Sequence, residues 1–116
     1  MLKAGPAQRV TIHLNEDTVA RKDFLYREIF AFLYDQGVSG ASLIRPEAGF
    51  GSHHRVHKVH PSQASEEGHL PVRIDFIESA ERVSELLPEL GRIVTDGLIE
   101  TQDTFLYQVS VQEDLS

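Results

Sequence analysis

The chain contains no cysteine, which excludes a disulfide framework and any metal site built from thiolates. A zinc site would have to use His, Asp or Glu side chains. No apolar run approaches the roughly 20 residues that a transmembrane helix needs, and residues 1–9 lack the apolar core of a signal peptide. These absences predict a soluble, unexported protein that suits the reducing cytoplasm.

Positive charge is also scarce, since 11 Lys and Arg residues face 18 Asp and Glu residues and give a net charge of −7. Binding to nucleic acid through phosphate neutralisation needs a basic surface, so the composition argues against it. Residues 52–60 are the exception, because Arg55 and Lys58 contribute +2 there and leave −9 for the rest of the chain. This segment could attract a small anion or an acidic partner surface.

The length of 116 residues suits one self-sufficient domain, so residues 1–116 are predicted to form a single unit. Residues 8–14 alternate between apolar and polar side chains, which is the period of a half-buried strand. Val10, Ile12 and Leu14 form its apolar face. The first element is therefore a strand with one face in the core.

Apolar residues with helical spacing follow the first strand, so a helix is predicted there. Asp23 is expected to cap this helix, and Gly37 is expected to end it in the left-handed conformation. Residues 41–45 then form a short strand, and residues 70–77 form the clearest alternating strand of the chain.

A second helix is predicted to begin at a Ser79 cap, and Pro88 is expected to bend or interrupt it. Residues 93–99 form a turn that contains Asp96 and Gly97, and residues 104–111 form a last alternating strand. The apolar face of this helix consists of Val83, Leu86, Leu87 and Leu90.

The order βαββαβ predicts an α+β fold, a ferredoxin-like sandwich in which two helices cover one face of an antiparallel sheet. The other face carries Arg73 and Asp75, so it is polar and either meets water or forms the centre of an oligomer. Residues 112–116 form an acidic tail that is expected to be frayed.

An enzyme remains an alternative, because His13, Arg73 and Asp75 could act as acid and base groups on the polar face of a ferredoxin-like sheet. The sequence has no nucleophile elbow, HExxH motif, P-loop or dinucleotide-binding fingerprint. Alternating charges on a sheet face are more often cross-strand pairs. A protein without catalytic activity is therefore favoured over a small enzyme.

A segment of about two dozen residues separates the second and third predicted strands, and such long connections are usually functional. It opens with Gly49, Phe50, Gly51 and Ser52. Its glycines allow backbone conformations closed to other residues and let a ligand approach bare amides. This turn is the first candidate binding element.

Four of the six histidines lie within residues 53–60, directly after that turn, with spacings of three and four residues that could bring imidazoles to metal-binding distance. A divalent metal site is one interpretation, and it would make the protein a metal-responsive binding protein. A solvated loop with incidental metal affinity is a second, and a pH-sensing loop is a third, since imidazole titrates near neutrality. The candidate ligands are His53, His54, His57 and His60.

Several motifs in order resemble the PII-like signalling proteins, and most closely the group catalogued as domain of unknown function 190. The motifs are the Gly49-Phe50-Gly51 turn, Arg55-Val56-His57, Leu70-Pro71-Val72 and residues 87–90. The resemblance covers roughly residues 8–100. It implies a PII-like homotrimer with a mobile T-loop at about residues 47–68.

The resemblance also implies that a small effector, often an adenine nucleotide in such proteins, lies in clefts between neighbouring subunits. One wall would come from the base of the T-loop and the other from residues 91–97. Either arginine in these segments could add a forked donor for an anion. The implied contact residues are Gly49, Phe50, Gly51, Ser52, Arg55, His57, Gly91, Arg92, Asp96 and Gly97.

The chain departs from PII proteins proper at three points. Leu98 stands where those proteins have a Lys after Asp-Gly, their C-terminal arginine pair is missing, and no Tyr lies between Tyr34 and Tyr107 where some carry a modified tyrosine. These departures argue against a full ATP triphosphate. A less charged nucleotide, another anion or no nucleotide remain as alternatives.

The sequence thus predicts a cytoplasmic, trimeric regulator without catalytic turnover or a required cofactor. Its effector would order the loop at 47–68 and change the fit of that loop to a partner, since a ligand shifts a mobile segment toward the state it binds better. The resemblance makes a membrane transporter or channel the first partner to consider.

Overall fold

The computed structural model describes residues 4–46, 48–49, 57–58 and 71–107. Its elements follow the order β1 (Gly5–Asn15), α1 (Leu25–Asp35), β2 (Ala41–Ile44), β3 (Ala48–Gly49), β4 (His57–Lys58), β5 (Pro71–Ser79), α2 (Ala80–Ile93) and β6 (Leu98–Leu106).

Four strands form one antiparallel sheet in the order β2-β5-β1-β6, and β3 pairs with β4 in a separate two-stranded ladder. Both helices pack on one face of the main sheet. This arrangement confirms the predicted α+β, ferredoxin-like sandwich.

The core lies between the helices and the two central strands. Ile12 of β1 is opposite Ile74 of β5, and neither side chain is exposed to solvent. Because side chains alternate along a strand, one face of each central strand supplies the core. The core residues are Val10, Ile12, Leu14, Leu25, Ile29, Leu33, Val72, Ile74, Phe76, Val83, Leu86 and Leu90.

The opposite face of the sheet, called the open face below, carries the other half of the alternation. Its register places His13 opposite Arg73 and Thr11 opposite Asp75. The predicted polar face is therefore present, and its side chains come from the same strands that build the core.

Helix α1 starts later than the sequence indicates. Its N-cap residue is Phe24, which makes no side-chain capping bond, so the prediction of Asp23 as the cap is wrong. The Asp23 carboxylate instead accepts a hydrogen bond from the adjacent Phe24 N–H at 2.7 Å, which leaves it one residue too early to cap. Gly37 adopts φ 75° after the helix, as predicted, and the Val38 N–H donates to the Leu33 carbonyl.

Helix α2 begins as predicted, because the Ser79 hydroxyl accepts a hydrogen bond from the Arg82 N–H at 3.2 Å. The helix continues through Pro88 to Ile93, so the expected interruption does not occur. Proline removes one hydrogen bond at this position, whereas Leu86 and Leu90 remain buried on either side of it. Packing of this face on the sheet outweighs the missing bond.

The last strand begins earlier than its predicted place at 104–111, and residues 108–111 of that prediction, like the predicted tail at 112–116, lie outside the described residues. It spans Leu98–Leu106 and pairs with β1 from Leu98 opposite His13 to Leu106 opposite Gly5. The predicted turn at 93–99 is correspondingly shorter. An edge strand needs only main-chain pairing, and most β6 side chains are exposed, so its sequence shows no apolar alternation.

Among the residues that the structure describes, no helix is long and apolar enough to cross a membrane.

Candidate functional site

A cleft of about 690 Å³ lies at the end of the sheet where β1 finishes and β5 and β6 begin. We call it the sheet-end cleft. Its volume is within the range of about 300–1,000 Å³ that is usual for small-molecule sites. The turn between α2 and β6 forms one wall, and the start of β5 forms another. The lining residues are His13, Leu14, Asn15, Pro71, Val72 and residues 96–100.

Gly97 holds the turn against β1. A Cβ atom at this position would lie 2.4 Å from the His13 carbonyl oxygen, which no side chain can accept without a shift of backbone. Glycine therefore lets the turn contact the main chain of β1 directly. This contact fixes the wall that carries Asp96.

Two of the four polar side chains among the described residues that line the sheet-end cleft are acidic. Asp96 and Glu100 both line it, and the only side chain among its lining residues that can become cationic is His13. The His13 Nε2 atom lies 3.2 Å from Glu100 Oε1, and both side chains are partly exposed. The wall thus offers carboxylate acceptors beside an imidazole.

A smaller cleft of about 150 Å³ adjoins the first and shares His13, Pro71 and Val72 with it. Its charged residue is Arg73, whose side chain is half exposed. The Arg73 Nε atom is 3.5 Å from Asp75 Oδ2, which is long for a hydrogen bond. The two clefts therefore place acidic and basic groups on opposite sides of one shared border. We call this second space the Arg73 cleft.

Near the Arg73 cleft, Arg45 and Glu16 form a two-bond ion pair at 2.8 and 2.7 Å. The hydrogen bond from Arg45 lowers the pKa of the Glu16 carboxyl below its ordinary value and outweighs the opposing effect of burial. The same bond raises the pKa of Arg45. Since Arg45 directly follows β2, the pair ties the end of that strand to the connection after β1.

The structure separates the predicted residues of the second wall. Asp96 and Gly97 line the sheet-end cleft. Gly91 and Arg92 lie in the last turn of α2, and the Arg92 guanidinium bonds Glu89 one helical turn earlier. Neither of these two residues is among those that line the cleft.

Part of the predicted first wall can also be placed. Gly49 and His57 are directly opposite each other in the β3–β4 ladder, so their backbones are neighbours. The remaining predicted contacts and metal ligands lie outside the described residues. These are Phe50, Gly51, Ser52, His53, His54, Arg55 and His60.

Within the ranges that the structure describes, no group of three or more His, Asp, Glu or Cys side chains could hold a metal ion.

Sequence reasoning named His13 and Arg73 only as acid and base groups of the alternative enzyme, and it did not name Glu100. The alternation of β1 and β5 places His13 and Arg73 on the open face, but it does not show that their strand ends border a cleft. Glu100 had no signal, because β6 lacks a recognisable pattern.

Residues 7–105 match the DUF190 family, whose description reads "Uncharacterized ACR". The chain belongs to the DUF190 family. The UPF0166 protein of Methanocaldococcus jannaschii is 27% identical to this DUF190 chain over 108 residues, which cover 92% of this chain and 97% of the relative.

Solved structures share the fold. A structure of CPII from Thiomonas intermedia K12 bound to ADP and bicarbonate matches with a TM-score of 0.59 and 21% identity, over 91% of this chain and 93% of CPII. A protein described as PII-like and signaling, from Thermus thermophilus, matches with a TM-score of 0.53 and 17% identity, over 90% and 92% of the two chains. The DUF190 chain therefore has the PII-like fold.

Proposed function

We propose that this DUF190 chain is a cytoplasmic PII-like regulator, without catalytic turnover, that binds an adenine nucleotide at the sheet-end cleft. The observation that carries the proposal is the position of this cleft. It lies where the Asp96-Gly97 turn meets the start of β5, which is the strand that follows the long connection. Asp96 and Gly97, which were predicted for one wall of an effector site, line this cleft.

The comparisons support the choice of ligand. CPII, which shares the fold, has been solved with ADP and AMP bound as well as with ADP and bicarbonate. The cleft also combines apolar walls with a few polar groups, as small-molecule sites usually do. An adenine nucleotide of low charge is favoured over ATP, because Leu98 lines the cleft where PII proteins proper carry a Lys.

Regulation would pass through the segment at 47–68. An effector that binds one state of this segment better than another shifts its population and so changes the surface offered to a partner. A membrane transporter or channel is the partner class that we propose to test first. The chain would act as a homotrimer with the cleft completed by a neighbouring subunit.

Isothermal titration calorimetry tests which ligand the chain binds. We expect saturable binding of ADP and AMP to the full chain at neutral pH, and weaker binding of ATP. Zinc and nickel serve as the competing ligands. Tight metal binding that His53→Ala with His57→Ala abolishes, together with no heat from any adenine compound, would replace the nucleotide proposal with a metal-responsive one.

Two further measurements test the assembly and the switch. Light scattering should give the mass of a trimer, and a stable monomer would contradict the intersubunit site. Limited proteolysis should show that saturating ADP changes cleavage between residues 47 and 68. Equal cleavage with and without ADP would remove the switch even if ADP binds.

A further inference from the structure

We propose that the nucleotide is held in one orientation, with its nucleoside in the sheet-end cleft and its phosphates directed across His13 to Arg73. This inference rests on the proposed function and assigns Arg73 as the phosphate-binding residue. It follows from the charges of the two adjoining clefts, their shared border and their unequal volumes.

The larger cleft is unsuited to phosphate. Asp96 and Glu100 both line it, and the only side chain able to carry positive charge among the described residues that line it, His13, already contacts Glu100 at 3.2 Å. Two carboxylates near a diphosphate would repel it, and the repulsion would be strongest where bound ligand excludes water. The same carboxylates are good acceptors for ribose hydroxyls and for an amino group.

The walls of the larger cleft suit a nucleoside in shape as well. Pro71 and Leu98 supply apolar surface, and the Leu98 side chain is 70% exposed. A neutral planar base that covered this surface would remove it from water. The cleft of about 690 Å³ also has more room than its neighbour of about 150 Å³.

Arg73 is placed to receive the phosphates. It lines the smaller cleft, which shares His13, Pro71 and Val72 with the larger one. Its side chain is half exposed, and its long 3.5 Å contact with Asp75 leaves other guanidinium donors available for a ligand. A guanidinium can bind phosphate oxygens with two parallel hydrogen bonds, which gives geometric selectivity.

The test compares adenosine, AMP and ADP by calorimetry on wild-type protein and four variants. Arg73→Ala removes the proposed phosphate contact, and Arg73→Lys keeps the charge but loses the fork. Arg21→Ala is the matched control, because Arg21 is exposed, lies outside both clefts and removes the same charge. Glu100→Gln removes one carboxylate from the nucleoside side.

We expect Arg73→Ala to weaken ADP binding by about 10- to 100-fold, the usual effect of losing a charge-assisted bond, and to leave adenosine binding unchanged. Retained adenosine binding shows that the variant is folded. Arg73→Lys should fall between Arg73→Ala and wild type, and Arg21→Ala should match wild type. Glu100→Gln should weaken adenosine and ADP to the same extent.

Three other outcomes would contradict the proposal. If phosphates occupy the larger cleft, Glu100→Gln will strengthen ADP binding and leave adenosine unchanged, which overturns the orientation. The assignment of Arg73 fails if Arg73→Ala and Arg21→Ala have the same effect on ADP. If wild-type protein binds no adenine compound, the proposed function itself fails and the orientation with it.

Discussion

The two faces of strands β1 and β5 differ in burial and polarity, although successive residues of the same strands supply both faces. On the helix-covered face, Ile12 and Ile74 are opposite each other and wholly buried. One position further along, His13 and Arg73 are opposite each other on the open face and border the two clefts. A single alternating strand thus separates the residues that form the core from those that border the clefts.

The largest expected effect comes from the covered face. Ile12→Ala should lower the free energy of unfolding by about 2–5 kcal/mol, because it removes buried methyl groups and leaves a cavity. Arg9→Ala on the open face of the same strand should change it by no more than about 0.5 kcal/mol. Urea denaturation measures both. Equal losses would mean that the open face is also part of the stabilising core.

Two glycine variants, at Gly97 and Gly91, should change stability in opposite directions. Gly97→Ala should cost about 1–3 kcal/mol, because its methyl group would collide with the His13 carbonyl, and it should also weaken ADP binding. Gly91→Ala meets nothing within 4 Å in α2 and should stabilise the protein by about 0.5–1 kcal/mol.

Thermal unfolding and ADP titration of these two glycine variants provide the measurement. Effects of the same sign on stability would show that the Gly97 contact does not hold the turn.

A smaller, pH-dependent loss of stability is expected from Glu16→Gln. The ion pair between Glu16 and Arg45 is partly exposed, so it should contribute only about 0.5–1 kcal/mol to the free energy of unfolding. The pKa of Glu16 is lowered in the folded protein, so its stabilisation is present above the ordinary value of 4.5 and is lost as pH falls through the lower folded value.

Urea denaturation at pH 7 should therefore separate the Glu16→Gln variant from wild type, and denaturation well below pH 4.5 should not. A difference that persists or grows in acid would contradict the role assigned to this ion pair.

The smallest effect on stability is expected from Glu100→Gln on the open face. Its contact with His13 joins two partly exposed groups, so its loss should change the free energy of unfolding by less than about 0.5 kcal/mol. The melting temperature measures this. A loss as large as that of Ile12→Ala would break the separation between the two faces.

Much of the fold could be predicted because its central strands are periodic. The alternation at Val10, Ile12 and Leu14 has a direct physical cause, namely burial of one strand face, and the structure confirms it. Strand β6 could not be placed in the same way. It is an edge strand whose pairing uses main-chain groups, so its side chains carry little information about where it begins.

Local sequence signals gave wrong predictions at the start of α1 and at Pro88 within α2. Asp23 satisfies the preference for a cap, yet its carboxylate bonds the next N–H and the helix starts later. Pro88 satisfies the preference for a break, yet buried neighbours keep α2 continuous. Tertiary contacts decided the second case, and they cannot be read from one segment.

Residues of the candidate site could be predicted only where they belong to a local sequence motif. Asp96 and Gly97 belong to a recognisable turn, and they do line the sheet-end cleft. His13 and Arg73 reach the clefts through pairing between β1 and β5, which brings together residues that are distant in the chain. A correct register was needed before these two could be associated.

The main chain and the side chain of His13 have different roles at its contact with Gly97. Gly97 touches the carbonyl oxygen of His13, a main-chain atom that every amino acid supplies, whereas the imidazole of His13 borders both clefts. Position 13 can therefore change its side chain without loosening the turn. Ligand preference in this scaffold can diverge at position 13 while position 97 remains under steric constraint.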